Sequence, residues 1–401
     1  MNVNRSVVVA VSVGAGVCFL IALALYQNWF FFNFSLFRTS PQVPVGTGFS
    51  KRPVGIYVPR DYALVKETRE LIWPETVADK ALAVARAWAN LLDEEGVLDK
   101  RVSVQSTSTS ADDSHLFISF DRPPFTERMS TTEKLYIIES LLKTLRSEEI
   151  GCSSVTFLVH HVVMHDPHLD FSQPWPVAGF FARQTGDQPP CLPTYMVGTP
   201  ITIMLDPAGD AQNTGRVIDD TFERGLTLAC AQEIKHDLEK NFPGVRIVLS
   251  RVPGETVDPL QSASFANKLK ADLFVHLGFY QEKRNPCLCS LFFFSYDATT
   301  DFWPKKTGAQ ALEPYYRAHL PMITCSAQYA LLLHDSLADL QTKGSIQLKP
   351  VICFPCRPLI GVRAPVIGCE MGLNNKDSWK MFVQPIVAGI GTIISALQQL
   401  S

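Results

Sequence analysis

At 401 residues the chain is long enough for two domains with their own cores, taking roughly 150 residues per domain. A net charge of −3, from 36 basic and 39 acidic side chains, offers no basic footprint, which excludes nucleic acid as a partner. With 46% hydrophobic and 19% charged residues, the composition is that of a globular chain carrying one membrane segment and excludes a disordered one.

Residues 1–6 form a short tail containing Arg5, and Val7 to Tyr26 follow without a Lys, Arg, Asp or Glu. That run is about the 20 residues a helix needs to cross a ~30 Å hydrocarbon core. The expectation is an uncleaved single-pass anchor in the cell membrane, with the N-terminus cytoplasmic and the bulk of the chain outside. Trp29 and the phenylalanines at 30, 31, 32 and 34 supply an aromatic belt, and residues 27–51, rich in Pro, Gly and Ser towards their end, read as a linker. In an exported chain the cysteines, including Cys287/Cys289 and Cys353/Cys356, are expected as disulfides or buried thiols before a metal site.

The first folded unit spans residues 52–176. Ile56–Val58 and Val65–Arg69 predict a hairpin. Thr76 caps a helix running to about Glu95, with Val77, Ala81, Val84, Trp88 and Leu91 on one face and Gly96 at its end. HLFISF (115–120) is a strand. Ser130 and Glu133 form a capping box opening a second helix with the stripe Leu135, Ile138, Leu142 and Leu145. Val155–Val159 is a further strand, giving an α+β domain. His160, His161, His165 and His168 cluster after it, and the reading is a strand edge and its turn, because adjacent residues of one strand face opposite ways and cannot both ligate. In the order of these elements, and in YVPRDYALVKETREL and HLDFSQPWPV, residues 52–176 resemble the GerM-type (GerMN) domain. The resemblance implies a non-catalytic interaction or scaffold module of the cell envelope.

Residues 177–198 read as an interdomain linker, and from Thr199 strands alternate with helices. ITIML, VRIVLSR, ADLFVHLGFY, SLFFFSY and PVIGCEMG are strands. The segments from Thr221, over SASFANKLK, and from Trp379 to Leu397 are helices. This pattern predicts an α/β domain over 199–401, a twisted sheet flanked by helices, with any site at the carboxyl ends of the strands.

The same residues resemble the zinc-dependent N-acetylmuramoyl-L-alanine amidases of the Amidase_3 type, which cleave peptidoglycan between sugar and stem peptide. The family's Asp-Pro-Gly-His-Gly-Gly falls on Asp206-Pro207-Ala208-Gly209-Asp210-Ala211, its helix-opening Glu on Glu223, and its Leu-Thr-Arg on Leu249-Ser250-Arg251. Its Ala-Asn falls on Ala266-Asn267, its Ala-Asp-Leu-Phe-Ile-Ser-Ile-His on Ala271 to Gly278, and its late Glu-x-Gly-Phe on Glu370 to Leu373. The resemblance implies Glu223 as a retained metal ligand and Glu370 as the retained catalytic carboxylate. Both imidazole ligands are replaced, by Gly209 and Gly278. Asp210 and His276 stand near enough in sequence to act as substitute ligands, beside plainer roles as a turn residue and a hydrogen-bonded core histidine.

With one carboxylate left of three ligands, the expectation is a pseudoenzyme with no cofactor. It would be a membrane-anchored envelope protein that binds peptidoglycan or regulates a partner hydrolase. Two alternatives remain: an active amidase with a rearranged zinc shell, and a non-catalytic structural envelope component.

Overall fold

The computed structural model describes residues 50–181, 200–296 and 314–399, so the expected anchor at 7–26 and most of the expected linker at 177–198 lie outside the described residues. Residues Ser50 to Ser401 belong to a single compact unit.

Strands β1 (Lys51–Arg60) and β2 (Ala63–Ile72) pair as an antiparallel hairpin, turned by Asp61 and Tyr62 at positive φ. Two consecutive left-handed residues give the turn whose twist matches its flanking strands. Helix α1 (Val77–Glu94) is capped by the Thr76 side chain, which accepts from the Asp79 amide, and it buries Ala81, Val84, Trp88 and Leu91. Strands β3 (Val104–Thr109) and β4 (His115–Phe120) are antiparallel. Helix α2 (Thr131–Ser147) then crosses over to β5 (Ser154–Val159), which lies parallel to β4. The expected Ser130–Glu133 capping box is formed in both directions. His160 and His161 both have positive φ and make the turn from β5 into β6 (Val162–Val163). The histidine cluster is therefore dispersed, as a hairpin turn disperses it. Strand β7 (Trp175–Pro176) adds to the start of β5.

The second half is a mixed seven-stranded sheet flanked by helices. In chain order it comprises β8 (Thr202–Pro207), the short hairpin β9 (Val217–Ile218) and β10 (Thr221–Phe222), α3 (Glu223–Asn241) and β11 (Arg246–Leu249). These lead into α4 (Pro259–Leu269), β12 (Leu273–Gln281), β13 (Cys287–Phe294), α5 (Ile323–Thr342), β14 (Ile346–Leu348), β15 (Ile352–Phe354), β16 (Val366–Leu373) and α6 (Lys380–Gln399). The sheet order is β11-β8-β12-β16-β13-β14, with β15 also on β13. The β13–β16 pair is antiparallel and every other pair of this sheet is parallel, so two parallel groups meet back to back.

Strands β13 and β16 are buried along their whole length and β12 over all but its last residue, as central strands covered on both faces are. Helix α6 is long and apolar enough to cross a membrane. Here it is a core helix: Phe382, Ile386, Ile390, Ile393 and Leu397 are buried and it packs against α3 and α5. Cys287, Cys289 and Cys356 are buried free thiols and Cys353 is buried, while Cys325 is disulfide-bonded.

The two halves are stitched together by backbone. The Asp170 amide donates to the Pro355 carbonyl at 2.9 Å, the Arg357 amide to the His168 carbonyl at 2.9 Å, and Leu169 bridges Cys356. This seam brings the start of α2 and the 165–168 loop over the carboxyl ends of β8 and β12.

Candidate functional site

A cleft of about 820 Å³ opens at those strand ends. Its walls are the loops around Phe125–Arg128 and His165–His168 on one side and the turns after β8 and β11 on the other. Of the candidate site residues, Gly209, Asp210, Glu223 and His276 line it directly. Gly278 and Glu370 lie behind that lining, the first against Glu223 and the second bonded to Arg216.

Glu223 opens α3 and is 1% exposed. One carboxylate oxygen accepts the Arg216 amide at 3.0 Å, and the other accepts the Phe279 amide at 2.8 Å. Glu370, 3% exposed on β16, is held by α2: the Thr131 amide donates to both its oxygens at 3.0 and 2.9 Å, and the Thr131 hydroxyl donates at 2.6 Å. Thr131 is the first residue of α2, so Glu370 sits at a helix N-terminus, where unpaired N–H groups and the helix dipole favour negative charge.

Between the two carboxylates lies Arg216, 4% exposed. Its Nη2 donates to Glu370 Oε1 at 2.7 Å, its Nη1 to the Phe279 carbonyl at 3.1 Å, and Nη1 stands 3.5 Å from Glu223 Oε1. Nε and Nη2 also reach the Glu127 carbonyl and the Thr131 hydroxyl, each at 3.4 Å. Burial pushes the Glu370 carboxyl upward, but Arg216 and the Thr131 donors outweigh it and hold the group below the usual carboxylate range. Burial likewise works against the Arg216 charge, but the two glutamates outweigh it and hold its proton more tightly than in a free arginine.

One turn along α2, fully buried Lys134 donates to Asp166 Oδ2 at 2.5 Å and lies 3.0 Å from His168 Nδ1. Burial, with Arg216 and Lys134 nearby, pushes His168 down to about 3, so the ring is neutral and accepts from the lysine. The closed end of the cleft thus contains two cations, three carboxylates and a helix terminus, each satisfied by another.

Asp210 accepts the amides of Gln212 at 2.8 Å and Asn213 at 2.6 Å on one oxygen and that of Val257 at 3.2 Å on the other. Burial pushes it up, and these amides bring it below its ordinary range. It organises its loop, the turn role read from the sequence. His276 is engaged elsewhere too: Nδ1 pairs with Asp206 Oδ2 at 2.7 Å, and the Ser262 hydroxyl reaches Asp206 Oδ1 at 3.2 Å. The structure therefore does not bring Asp210, Glu223 and His276 together as a ligand set. Among the described residues no group of three or more His, Cys, Asp or Glu side chains gathers in a way that could hold a metal ion.

The two glycines differ. Gly209 has φ +75°, and a Cβ there would stand 2.8 Å from the Arg224 Cβ and 3.1 Å from its Cα on α3, so backbone forbids any side chain. At Gly278 a Cβ would make ordinary contacts, 3.5 Å from Glu223 Oε1, 3.8 Å from His276 Nε2 and 3.9 Å from Glu370 Cγ.

Zinc does not fit this donor set. Glu223, the expected ligand, already accepts an amide on each carboxylate oxygen, and a guanidinium stands beside it where a second cation would be repelled. Arg216 is the residue that sequence reading missed. It sits in the featureless stretch Asn213–Val217, and apart from Glu223 its partners lie far away in the chain.

No family model and no curated protein matches the chain. Among solved structures, it is similar to the catalytic domain of CwlV, an N-acetylmuramoyl-L-alanine amidase from Bacillus (Paenibacillus) polymyxa var. colistinus, at 16% identity and a TM-score of 0.37, covering 49% of this chain and 98% of that one. The amidase AmiC2 of Nostoc punctiforme gives 16% identity and 0.37 over 49% and 99%. The CwlD amidase of Clostridioides difficile, solved in complex with the GerS lipoprotein, gives 14% and 0.34 over 49% and 99%. Likenesses this distant do not bear on the chemistry of the cleft, which is decided by its own residues and distances.

Proposed function

We propose that this is a membrane-anchored protein of the cell envelope whose second half has the scaffold of a peptidoglycan amidase without its hydrolytic chemistry, and which binds peptidoglycan in the cleft or regulates a partner hydrolase. The observation that carries the reading is Arg216. Its guanidinium lies between Glu223 and Glu370, 2.7 Å from the latter, at the centre of what would be the reacting site. A carboxylate held by an arginine and a helix N-terminus is fixed in its ionised form, so Glu370 has no proton to give near neutrality, and its Oε1 is already engaged by Arg216 and Thr131. The resemblance in sequence supports the scaffold; the motif departures at Gly209 and Gly278 support the loss. The first half acts here as a GerM-like interaction module that also seals the site through Thr131.

The test uses the purified full chain in detergent. Zinc by elemental analysis is expected well below one equivalent, and purified sacculi are expected to release no stem peptide. Near-stoichiometric zinc that disappears in Glu223→Ala, together with peptide release abolished by Glu370→Gln, would instead establish an active amidase with a rebuilt shell.

A further inference from the structure

At the open end of the cleft, one ring nitrogen of a buried histidine has no hydrogen-bond partner among the described residues. His276 is 7% exposed on the central strand β12, and its ring lines the cleft. Its Nδ1 is held by Asp206 at 2.7 Å, and Asp206 is in turn held by Ser262 at 3.2 Å. Nε2 has no hydrogen-bond partner among the described residues, although it is not sealed away from the cleft. It lies 3.8 Å from where a Gly278 side chain would begin, so the missing side chain leaves the space in front of it open.

In the neutral ring the proton sits on Nδ1, where the Asp206 carboxylate accepts it, and Nε2 presents a lone pair to the cleft. We propose that His276 Nε2 is the acceptor through which the cleft grips its ligand, and that the ligand group it takes is an uncharged N–H or O–H donor. An anion is disfavoured at Nε2, whose lone pair would face another acceptor, and two of the four arginines lining the cleft, Arg216 and Arg251, are engaged internally, Arg251 with the carbonyls of Pro207, Ala208 and Arg224. Asp206 and Asp210 add negative charge to the same floor. This inference rests on the reading that the cleft binds peptidoglycan, where such donors occur as amides of the stem peptide and as hydroxyls of the glycan.

The experiment titrates full-length protein carrying 15N-histidine with N-acetylmuramoyl-L-alanyl-D-isoglutamine in one arm and an N-acetylglucosamine tetramer in the other. The His276 resonances are assigned by their loss in His276→Phe. A lone-pair type Nε2 signal that moves with one probe is expected, and the arm that moves it tells amide from glycan. His276→Phe should weaken that probe about 10-fold or more. Asp206→Asn should do likewise although it keeps the ring, because the introduced amide favours the tautomer with the proton on Nε2. If the wild type binds a probe while Nε2 stays unmoved, or His276→Phe binds equally well, this inference fails and the cleft reading stands. If the wild type binds neither probe, the cleft reading fails and takes the inference with it.

Discussion

The two ends of the cleft, a few residues apart on β12, contrast in what they leave undone. Around Arg216 every charge meets an opposite charge or a helix terminus, whereas around His276 the pairing stops one atom short. A closed network of this kind serves rigidity, and an open one invites a ligand. The first was assembled from positions as distant as Thr131 and Glu370, the second from neighbouring strands β8 and β12 and the nearby helix α4.

The harshest way to break the contrast is Arg216→Ala, which leaves Glu223 and Glu370 buried without their cation. A loss of about 3–5 kcal/mol in urea unfolding is expected, and a loss below about 1 kcal/mol would show that the network contributes little. Acid tests the same end. His168 has a folded-state pKa of about 3, below its unfolded value of ~6.5, so its contribution is complete above that value and is lost as pH falls towards 3. Stability should therefore begin to fall near pH 6.5, with a slope approaching about 1.4 kcal/mol per pH unit from this one proton. His168→Gln should delay the fall until the carboxylates titrate. Glu370, depressed in the fold, adds to the loss only as pH drops below its unfolded value of ~4.3.

Smaller effects sharpen the comparison. Gly209→Ala forces a side chain into a left-handed position against α3 and should cost about 1–3 kcal/mol. Gly278→Ala should be nearly neutral for folding and yet intrude on the space before His276. Thr131→Val removes one hydroxyl from Glu370 and leaves the amide in place, for about 1–2 kcal/mol in the same unfolding assay.

Much of the architecture was legible because it rests on local pattern. The stripe through Trp88, the Ser130–Glu133 box and the apolar run of β12 each needed only a few neighbouring residues to be read. Helix α5 went unread because Ile323–Thr342 opens without a side-chain cap and its Cys, Ser and Ala positions blur the apolar stripe. Strand β3 is half exposed and rich in Ser and Thr, with a register shift near Val104, so alternation was hidden. The reversal of β13 against β16 is likewise a tertiary matter, since strand direction leaves no mark in composition. At the site, motif positions located Glu223, Glu370 and the two glycines, but Arg216 belongs to no motif. It is 154 residues from Glu370 and 85 from Thr131, and only folding brings the three into contact.

The bond from Thr131 to Glu370 has a genetic corollary. A change at either residue, or at Arg216 between them, is felt on both sides of the seam, so the halves cannot be exchanged freely between related chains. A chimera joining the first half of one to the second half of another should mature only when the residues at these three positions still match across the junction.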